Sequence, residues 1–227
     1  MARKKPYEDG CATAHALDLI GERWALLIVR ELIPGPQRFS DLRASLPGIS
    51  SNILATRLAG LEEVFVIAKR VLPPPAAAQV YELTDWGAEL EPIIKAIGKW
   101  AAKSPTMAEG MPMSAASVML SFRTMFNSAK AEWARLEFDM TMNGRDHSVT
   151  VDNGHLRIVP GRLSGSQTKI VGSSDMIAGV VYGGVPLPEA ERDGLRIEGD
   201  RSVFEKFATF FPLPEKAVNG CVSMGDK

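Results

Sequence analysis

The sequence predicts an α+β fold in two domains, a mostly helical domain followed by a mixed one. The first half carries apolar residues at helical spacing and then two short runs of β-type residues. A methionine- and proline-rich stretch at 107–113 follows, and the second half holds short apolar runs separated by turn signals. We therefore expect domains at residues 1–105 and 115–227, joined by a linker at 106–114.

The first domain is expected to be mostly helical, with one β-hairpin. Its helices are predicted at residues 11–32 with a kink near Gly21, at 39–46, at 49–64, and from 84 or 85 to about 103. Ser50 is placed to cap the third helix, because its hydroxyl can accept from a free backbone N–H. The strands are predicted at 66–72 and 80–83, and the prolines between them make the hairpin tip stiff.

The second domain is expected to alternate between helices and strands. Helices are predicted at residues 115–128, from Ser173 or Ser174 to about 182, and at 202–211 after an Asp200 cap. Strands are predicted at 134–142, 147–151, 155–159, 168–171 and 194–199.

A short helix, a Pro-Gly turn, a longer helix and a hairpin make up the order of a winged helix-turn-helix. In the longer helix, Ile53, Leu54, Leu58 and Leu61 recur at core spacing. The front end of this helix is small, polar and uncharged except for Arg57. A helix that enters the major groove of DNA needs such a narrow end, because bulky residues would hold it away from the bases.

This interpretation assigns the polar residues of the first domain to two roles. Ser51, Asn52 and Thr56 are expected to contact base edges, and the basic residues are expected to contact phosphates. The candidate DNA-binding residues are Arg38, Ser40, Ser50, Ser51, Asn52, Thr56, Arg57, Lys69 and Arg70. The ordinary alternative is a capped helix start with solvated arginines, since such caps are common.

Several blocks of the first half resemble the HxlR-type regulators in order and spacing. These are A-L-D-L-I-G-E-R-W-A-L-L-I-V-R-E-L after Cys11, then R-F-S-D-L, L-P-G-I-S, L-x-x-R-L-x-x-L-E-E and V-Y-E-L-T-D-W-G. The resemblance covers about residues 11–103. It implies a dimeric bacterial transcription regulator that binds double-stranded DNA, with the first and last helices of this domain forming the homodimer.

The chain departs from this family pattern at two places. No glycine ends the helix at 49–64, which predicts either a longer helix or a different entry to the hairpin. The hairpin tip is rich in proline and alanine instead of basic residues, which argues against deep insertion into the minor groove.

Cys11 is the candidate redox sensor, because some members of this family carry a reactive thiol at an N-terminal cysteine. Its place near a helix start, with His15 one turn on, favours the thiolate. The alternative is an inert, buried cysteine. Cys221 is expected to fill space, and Arg3, Lys4 and Lys5 are expected to be a solubilising tail more often than a minor-groove arm.

The second half is similar to sterol-carrier-protein-type domains. The similarity rests on I-V-G-S-S-D-M-I-A-G-V-V-Y-G-G, E-A-E-R-D-G-L-R-I-E-G-D and F-x-x-F-x-x-F-F-P. It implies an α/β layer of about five strands with an apolar cavity between sheet and helices. The candidate pocket residues for a small apolar ligand are Phe122, Phe126, Phe138, Met140, Met176 and Phe207. The alternative is that these residues only fill the core.

Composition and motifs exclude several other classes. The net charge of −1 gives no global basic field, so any DNA-binding patch must be local. His15, His147 and His155 have no metal-ligand spacing, and no cofactor or catalytic motif is present, so we expect neither a metal site nor an enzyme. No secretory signal or membrane span is predicted, and the compartment expected is the cytoplasm. A second hypothesis is an apolar-ligand carrier whose winged helix serves only for dimerisation.

Overall fold

A computed structural model describes residues 6–75, 77–108, 110–163 and 165–218. Arg3, Lys4, Lys5 and Cys221 lie outside these described residues. Contacts between residues divide the chain into two compact units, residues 1–94 and 95–227. The domain limits expected from the sequence, with a linker at 106–114, stay a prediction.

The first unit consists of helices and one hairpin, in the predicted order. The helices are α1 (Ala12–Ile20), α2 (Ala25–Leu32), α3 (Phe39–Ser45), α4 (Ser51–Glu63), α5 (Asp85–Ala88) and α6 (Leu90–Ala101), of which α6 crosses the boundary between the units. Strands β1 (Ile67–Val71) and β2 (Gln79–Leu83) pair antiparallel. The core draws on α2, α3, α4 and the hairpin, and its largest fully buried side chains are Ile28, Leu32, Leu42, Leu46, Leu54, Leu58 and Ile67.

Two helices that the sequence predicted as continuous are interrupted. The predicted helix at 11–32 ends at Ile20 and restarts at Ala25, with Trp24 between them at a left-handed φ of 81°. The predicted helix after Thr84 ends at Ala88 and restarts at Leu90. Pro92 explains the second break, because proline has no N–H to donate to the carbonyl of Ala88 and is tolerated in the first turn of a new helix.

The C-terminus of α4 shows how the chain ends this helix without a glycine. Phe65 adopts a left-handed φ of 61°. Its N–H donates to the Glu62 carbonyl, and the Val66 N–H donates to the Leu61 carbonyl, both at 3.0 Å. This is the Schellman pattern, completed by the buried side chains of Leu61 and Val66. The expected longer helix was wrong, because α4 ends at Glu63; the different entry to the hairpin stays a prediction.

The second unit is a five-stranded sheet with helices. The sheet order is β5-β4-β3-β6-β7; β3 and β6 are parallel and the other neighbours are antiparallel. Its strands are β3 (Arg135–Met142), β4 (Arg145–Asp152), β5 (His155–Pro160), β6 (Lys169–Gly172) and β7 (Arg196–Glu198). Its helices are α7 (Ala115–Met125), α8 (Ser174–Tyr182), α9 (Leu187–Arg192) and α10 (Arg201–Ala208), of which α9 was not predicted.

Phe65 gives a test of the α4 terminus. A left-handed conformation strains any residue with a Cβ, and the Phe65 side chain is 75% exposed, so its ring contributes little burial. We expect Phe65→Gly to raise the free energy of unfolding of the first unit by about 0.5–1 kcal/mol. Urea unfolding followed by tryptophan fluorescence in a Trp100→Phe/Trp133→Phe background measures this, since both of these tryptophans belong to the second unit and Trp24 and Trp86 remain in the first.

Phe65→Ala is the matched control for this measurement. It removes the ring but keeps the Cβ that causes the strain, so it should not stabilise the unit. Equal stabilisation by alanine and glycine would show that loss of the exposed ring, and not relief of backbone strain, is the cause.

Candidate nucleic-acid interface

The rotation of α4 about its axis decides which of its residues can meet a ligand. Leu54, Leu58 and Leu61 are buried and define the core side. At about 100° per residue, Asn52 and Thr56 lie about 160° and 200° around the axis from Leu54. Asn52 is exposed, Thr56 is half-buried and the nearby Ala59 is exposed. The outward side of α4 is therefore narrow, and Ile53, which was predicted to be a core residue, is instead 41% exposed.

The first turn of α4 is capped as the sequence predicted. The Ser50 hydroxyl accepts from the Ile53 N–H at 3.3 Å, and Ser51 follows as a half-buried residue. The Thr56 hydroxyl donates to the Asn52 carbonyl at 2.8 Å, which holds the Thr56 side chain along the helix. Neither Ser51 nor Thr56 is sealed inside the core, and the positive end of the helix dipole lies beside them.

Arg57 binds within the first unit. It lies about 60° from Leu54 around the helix axis, on the flank of the core side. Its guanidinium donates to Glu22 Oε2 at 2.7 Å and to the Arg23 carbonyl at 3.1 Å. These contacts fasten α4 to the turn between α1 and α2.

The two basic residues of the hairpin are also paired with carboxylates. Lys69 Nζ lies 2.8 Å from Glu62 Oε2, which joins β1 to the last turn of α4. This hydrogen bond raises the pKa of Lys69 above its ordinary value. Arg70 lies 2.8 Å from Glu82 Oε2 and joins β1 to β2. The hairpin is therefore positioned against α4 by charge pairs.

Unlike the carboxylate-paired basic residues of α4 and the hairpin, the basic residues of α3 are exposed to solvent. Arg38 is exposed at the N-terminal cap of α3 and makes no ion pair with any residue that the structure describes. Ser40 is exposed and donates to Asp41 at 3.2 Å. Arg43, which the sequence analysis did not select, is exposed in the last turn of α3. Its position on the polar side of a short amphipathic helix was the available signal.

Comparison with known proteins places this unit in a family. The model of the HxlR-like helix-turn-helix family matches residues 19–108. The transcriptional regulator YvaP of Bacillus subtilis is 42% identical over 88 residues, which are 39% of this chain and 82% of that relative. YodB of the same organism, also a transcriptional regulator, is 36% identical over 86 residues, 38% of this chain and 77% of the relative.

The chain belongs to the HxlR-like helix-turn-helix family. Its relatives are transcriptional regulators of the helix-turn-helix type, and its HxlR-like unit is that of a DNA-binding regulator. Among solved structures, reduced YodB from B. subtilis is 31% identical, with 44% of this chain and all of that chain covered, at a TM-score of 0.39. The family assignment depends on the sequence identities.

Two helices of this HxlR-like chain expose apolar residues. Neither α1 nor α6 contains a buried residue. Leu17 of α1 is 48% exposed, and Ile93, Ile97 and Trp100 form a stripe on α6 that is between 45% and 77% exposed. Spacing of four and three residues puts the α6 side chains on one face.

Cys11 is exposed immediately before α1. Hydrogen bonds from the Thr13 backbone N–H, the Thr13 hydroxyl and the Ala14 backbone N–H hold the pKa of its thiol below the ordinary value. The arrangement is that of a helix N-terminus, which favours the thiolate.

The candidate pocket residues of the second unit lie within its core. Phe122, Phe138, Met140 and Phe207 are fully buried, whereas Phe126 and Met176 are half-buried against them. Ring centroids are 5.3 Å apart for Phe122–Phe207 and 5.0 Å apart for Phe138–Phe207, both edge to face. The side chains that were assigned to a cavity thus pack against one another here.

No group of metal-ligating side chains occurs among the described residues. In the same part of the chain, no helix has the length and apolar character required to span a membrane.

Proposed function

We propose that this HxlR-like chain is a homodimeric transcription regulator that inserts α4 into the DNA major groove and responds to an apolar effector bound by its second unit. The observation that carries the DNA-binding part is the outward side of α4. It presents Asn52, Thr56 and Ala59 opposite the buried leucines, with no bulky side chain at its centre.

Base reading is assigned to Asn52, with Ser51 and Thr56 beside it. An asparagine amide can both donate to and accept from the adenine edge, which makes the pair specific. The N–H groups at the start of α4 and the exposed Arg38, next to Ser40, are suited to phosphate contacts.

The remaining candidate basic residues are assigned to positioning. Arg57, Lys69 and Arg70 already pair with carboxylates, so they orient α4 and the hairpin for DNA. A phosphate would have to displace those carboxylates to reach them. Few released counterions per half-site are therefore expected, with a correspondingly shallow dependence of affinity on salt.

The homodimer is proposed to form through α1 and α6. Their exposed apolar residues gain free energy when a second copy covers them, at roughly 25 cal/mol per Å² of buried apolar surface. A two-fold dimer would place two copies of α4 on half-sites about one helical turn of DNA apart. An effector that binds one spacing of these helices better than another shifts the population of dimers.

The alternative function is an apolar-ligand carrier in which the winged helix serves only for dimerisation. The near-neutral charge and the proline-rich tip of the hairpin favour it. A measurement of DNA affinity at low salt distinguishes the two functions, since a carrier should show no affinity for DNA even under that condition.

Asn52 tests the base contact. Asn52→Ala should weaken binding to the DNA upstream of the protein's own gene by about 5- to 150-fold, because a good bidentate pair is worth about 1–3 kcal/mol. Fluorescence anisotropy over a range of salt concentrations measures this, and the melting temperature should stay unchanged because Asn52 is exposed.

Arg57→Ala is the comparison variant for this measurement. It should lower the free energy of unfolding by about 0.5–1 kcal/mol and leave the salt dependence of DNA binding as in the parent. A weaker salt dependence of DNA binding in Arg57→Ala would show that Arg57 does contact phosphate. Binding by Asn52→Ala with the affinity of the parent would show that Asn52 does not contact the bases.

Ile97 tests the dimer. Ile97→Glu places a charge in the apolar stripe of α6 and should convert the dimer to monomers, because a charge loses its hydration when it is buried. Native mass spectrometry reports the mass of the assembly and any small molecule bound to it. Gly98→Glu is the control, since Gly98 lies on another side of α6 and a side chain there meets open space. Dimers that persist in Ile97→Glu would exclude this interface.

Cys11 supports a second role as a thiol sensor of oxidants or electrophiles. In a Cys221→Ser background Cys11 is the sole cysteine. Its alkylation by iodoacetamide should reach half its maximal rate at a pH below that of an ordinary thiol, because a lowered pKa gives the thiolate earlier as pH rises. Thr13→Val removes the hydroxyl hydrogen bond but keeps the backbone one, so it should move this midpoint part of the way up.

The readout for sensing is DNA affinity before and after diamide treatment. Affinity should change in the parent and stay constant in Cys11→Ser. An equal response of both proteins to diamide would show that Cys11 is not the sensor. So would a pH of half-maximal alkylation that Thr13→Val leaves unchanged.

A further inference from the structure

Apart from Arg145, which is exposed at the start of β4, the rows on the inward face of the sheet in the second unit are apolar with one exception. The register aligns Pro160, His147, Met140, Ile170 and Ile197 in a single row that crosses all five strands. Cross-strand neighbours share a face, and Met140 and Ile170 of this row are fully buried in the core. His147 is therefore a lone imidazole in an apolar row.

His147 is buried, and one of its two ring nitrogens lacks a hydrogen-bond partner among the described residues. His147 is 4% exposed, and its Nδ1 atom has no hydrogen-bond partner among the described residues. Buried polar atoms almost always have a partner, because an unpaired one loses its hydration without compensation. Burial lowers the pKa of His147 below its ordinary value and outweighs the backbone hydrogen bonds with Met140 and Arg145, which raise it, so the ring is neutral at pH 7.

The core around this row consists of side chains that can repack. Six methionines belong to the core cluster or pack against it: Met113, Met119, Met125, Met140, Met142 and Met176. Methionine is unbranched and adapts its shape at little cost, so such a core can admit a guest that a core of leucine and isoleucine would exclude. The half-buried apolar residues of α8 lie over the same cluster.

We propose that His147 Nδ1 anchors the polar head of an apolar ligand that carries one O–H donor, an alcohol or a protonated carboxylic acid, with its hydrocarbon part among the methionines. This inference rests on the proposed effector function of the second unit. A neutral imidazole protonated at Nε2 offers Nδ1 as an acceptor. A neutral donor satisfies it without the cost of burying a charge.

The test uses three probes that share one chain length: 1-dodecanol, dodecanoic acid and methyl dodecanoate, the last of which has no O–H donor. The full-length parent should bind the alcohol or the acid at least about tenfold more tightly than the ester in titration calorimetry. His147→Phe keeps an aromatic ring without the acceptor and should bind all three probes equally. Its melting temperature without ligand should equal or exceed that of the parent.

His155→Phe is the matched control. His155 is exposed, with Nδ1 3.0 Å from the Asn153 carbonyl oxygen, and its replacement should leave the discrimination between probes unchanged. A measurement on the parent alone covers the case in which His147→Phe does not fold. In ¹⁵N NMR of the histidine rings, the Nδ1 resonance of His147 should move on addition of dodecanol and stay in place with the ester.

The outcomes separate this inference from the function on which it rests. Equal binding of all probes by the parent, or discrimination retained in His147→Phe, overturns the anchor and leaves the apolar effector site standing. Failure of the parent to bind any of the probes removes the effector function for chains of this class, and the anchor with it.

Discussion

The packing of three leucines on one side of α4 determines which side of this helix faces outward and is proposed to contact DNA. Burial of each leucine side chain is worth roughly 1.5–3 kcal/mol, and Leu54, Leu58 and Leu61 are all nearly inaccessible to solvent. Their spacing fixes the rotation of the helix, since a slip of one residue would turn it by about 100°. Asn52 and Thr56 face outward because the leucines face inward, so the orientation of the polar side follows from the core.

Charge pairs then fix the elements around α4. Glu22, Glu62 and Glu82 each pair with a basic side chain, and these three pairs join α4 to the turn before α2, α4 to β1, and β1 to β2. Exposed pairs contribute little stability each, usually below about 1 kcal/mol. Their effect here is geometric, because they set the angle between α4, the hairpin and the turn before α2. The same pairing occupies three basic side chains, so in the proposed complex with DNA the helix N-terminus and Arg38 are assigned the attraction for phosphate.

Along the strands of the second unit, successive side chains point alternately to the inward and the outward face of the sheet. Its inward face carries the apolar core, whereas its outward face carries polar residues that are paired even where they are buried. Asp139 Oδ1 accepts from the Leu163 N–H at 2.9 Å, and Asp146 Oδ1 accepts from the Thr141 hydroxyl at 2.6 Å. His147 contrasts with these residues, because it lies on the inward face and its Nδ1 has no hydrogen-bond partner in the part of the chain that the structure describes.

The sequence by itself determined the features that depend on neighbours within one turn. The predicted helix caps were Ser50, Thr84 or Asp85, Ser173 or Ser174, and Asp200. In the structure the caps are Ser50, Thr84, Ser173 and Asp200, and each accepts from an N–H two or three residues on. The turn signals between the strands of the second half include Asn143-Gly144 and Asn153-Gly154, and both asparagines adopt the positive φ that such turns require. The order of elements was therefore predictable, except for the breaks within two helices and the short α9.

Only the tertiary structure decided the roles of individual side chains. Arg57 reads as a surface arginine in the sequence, but its partner Glu22 lies 35 residues away. Ile53 has core spacing and yet is exposed, because the leucines already fill the space against α2 and the hairpin. A local pattern specifies conformation through nearby backbone groups, whereas burial and pairing depend on which distant segments arrive at the same place. The sequence thus predicted the helix that presents the site, and the fold determined which residues of that helix face outward.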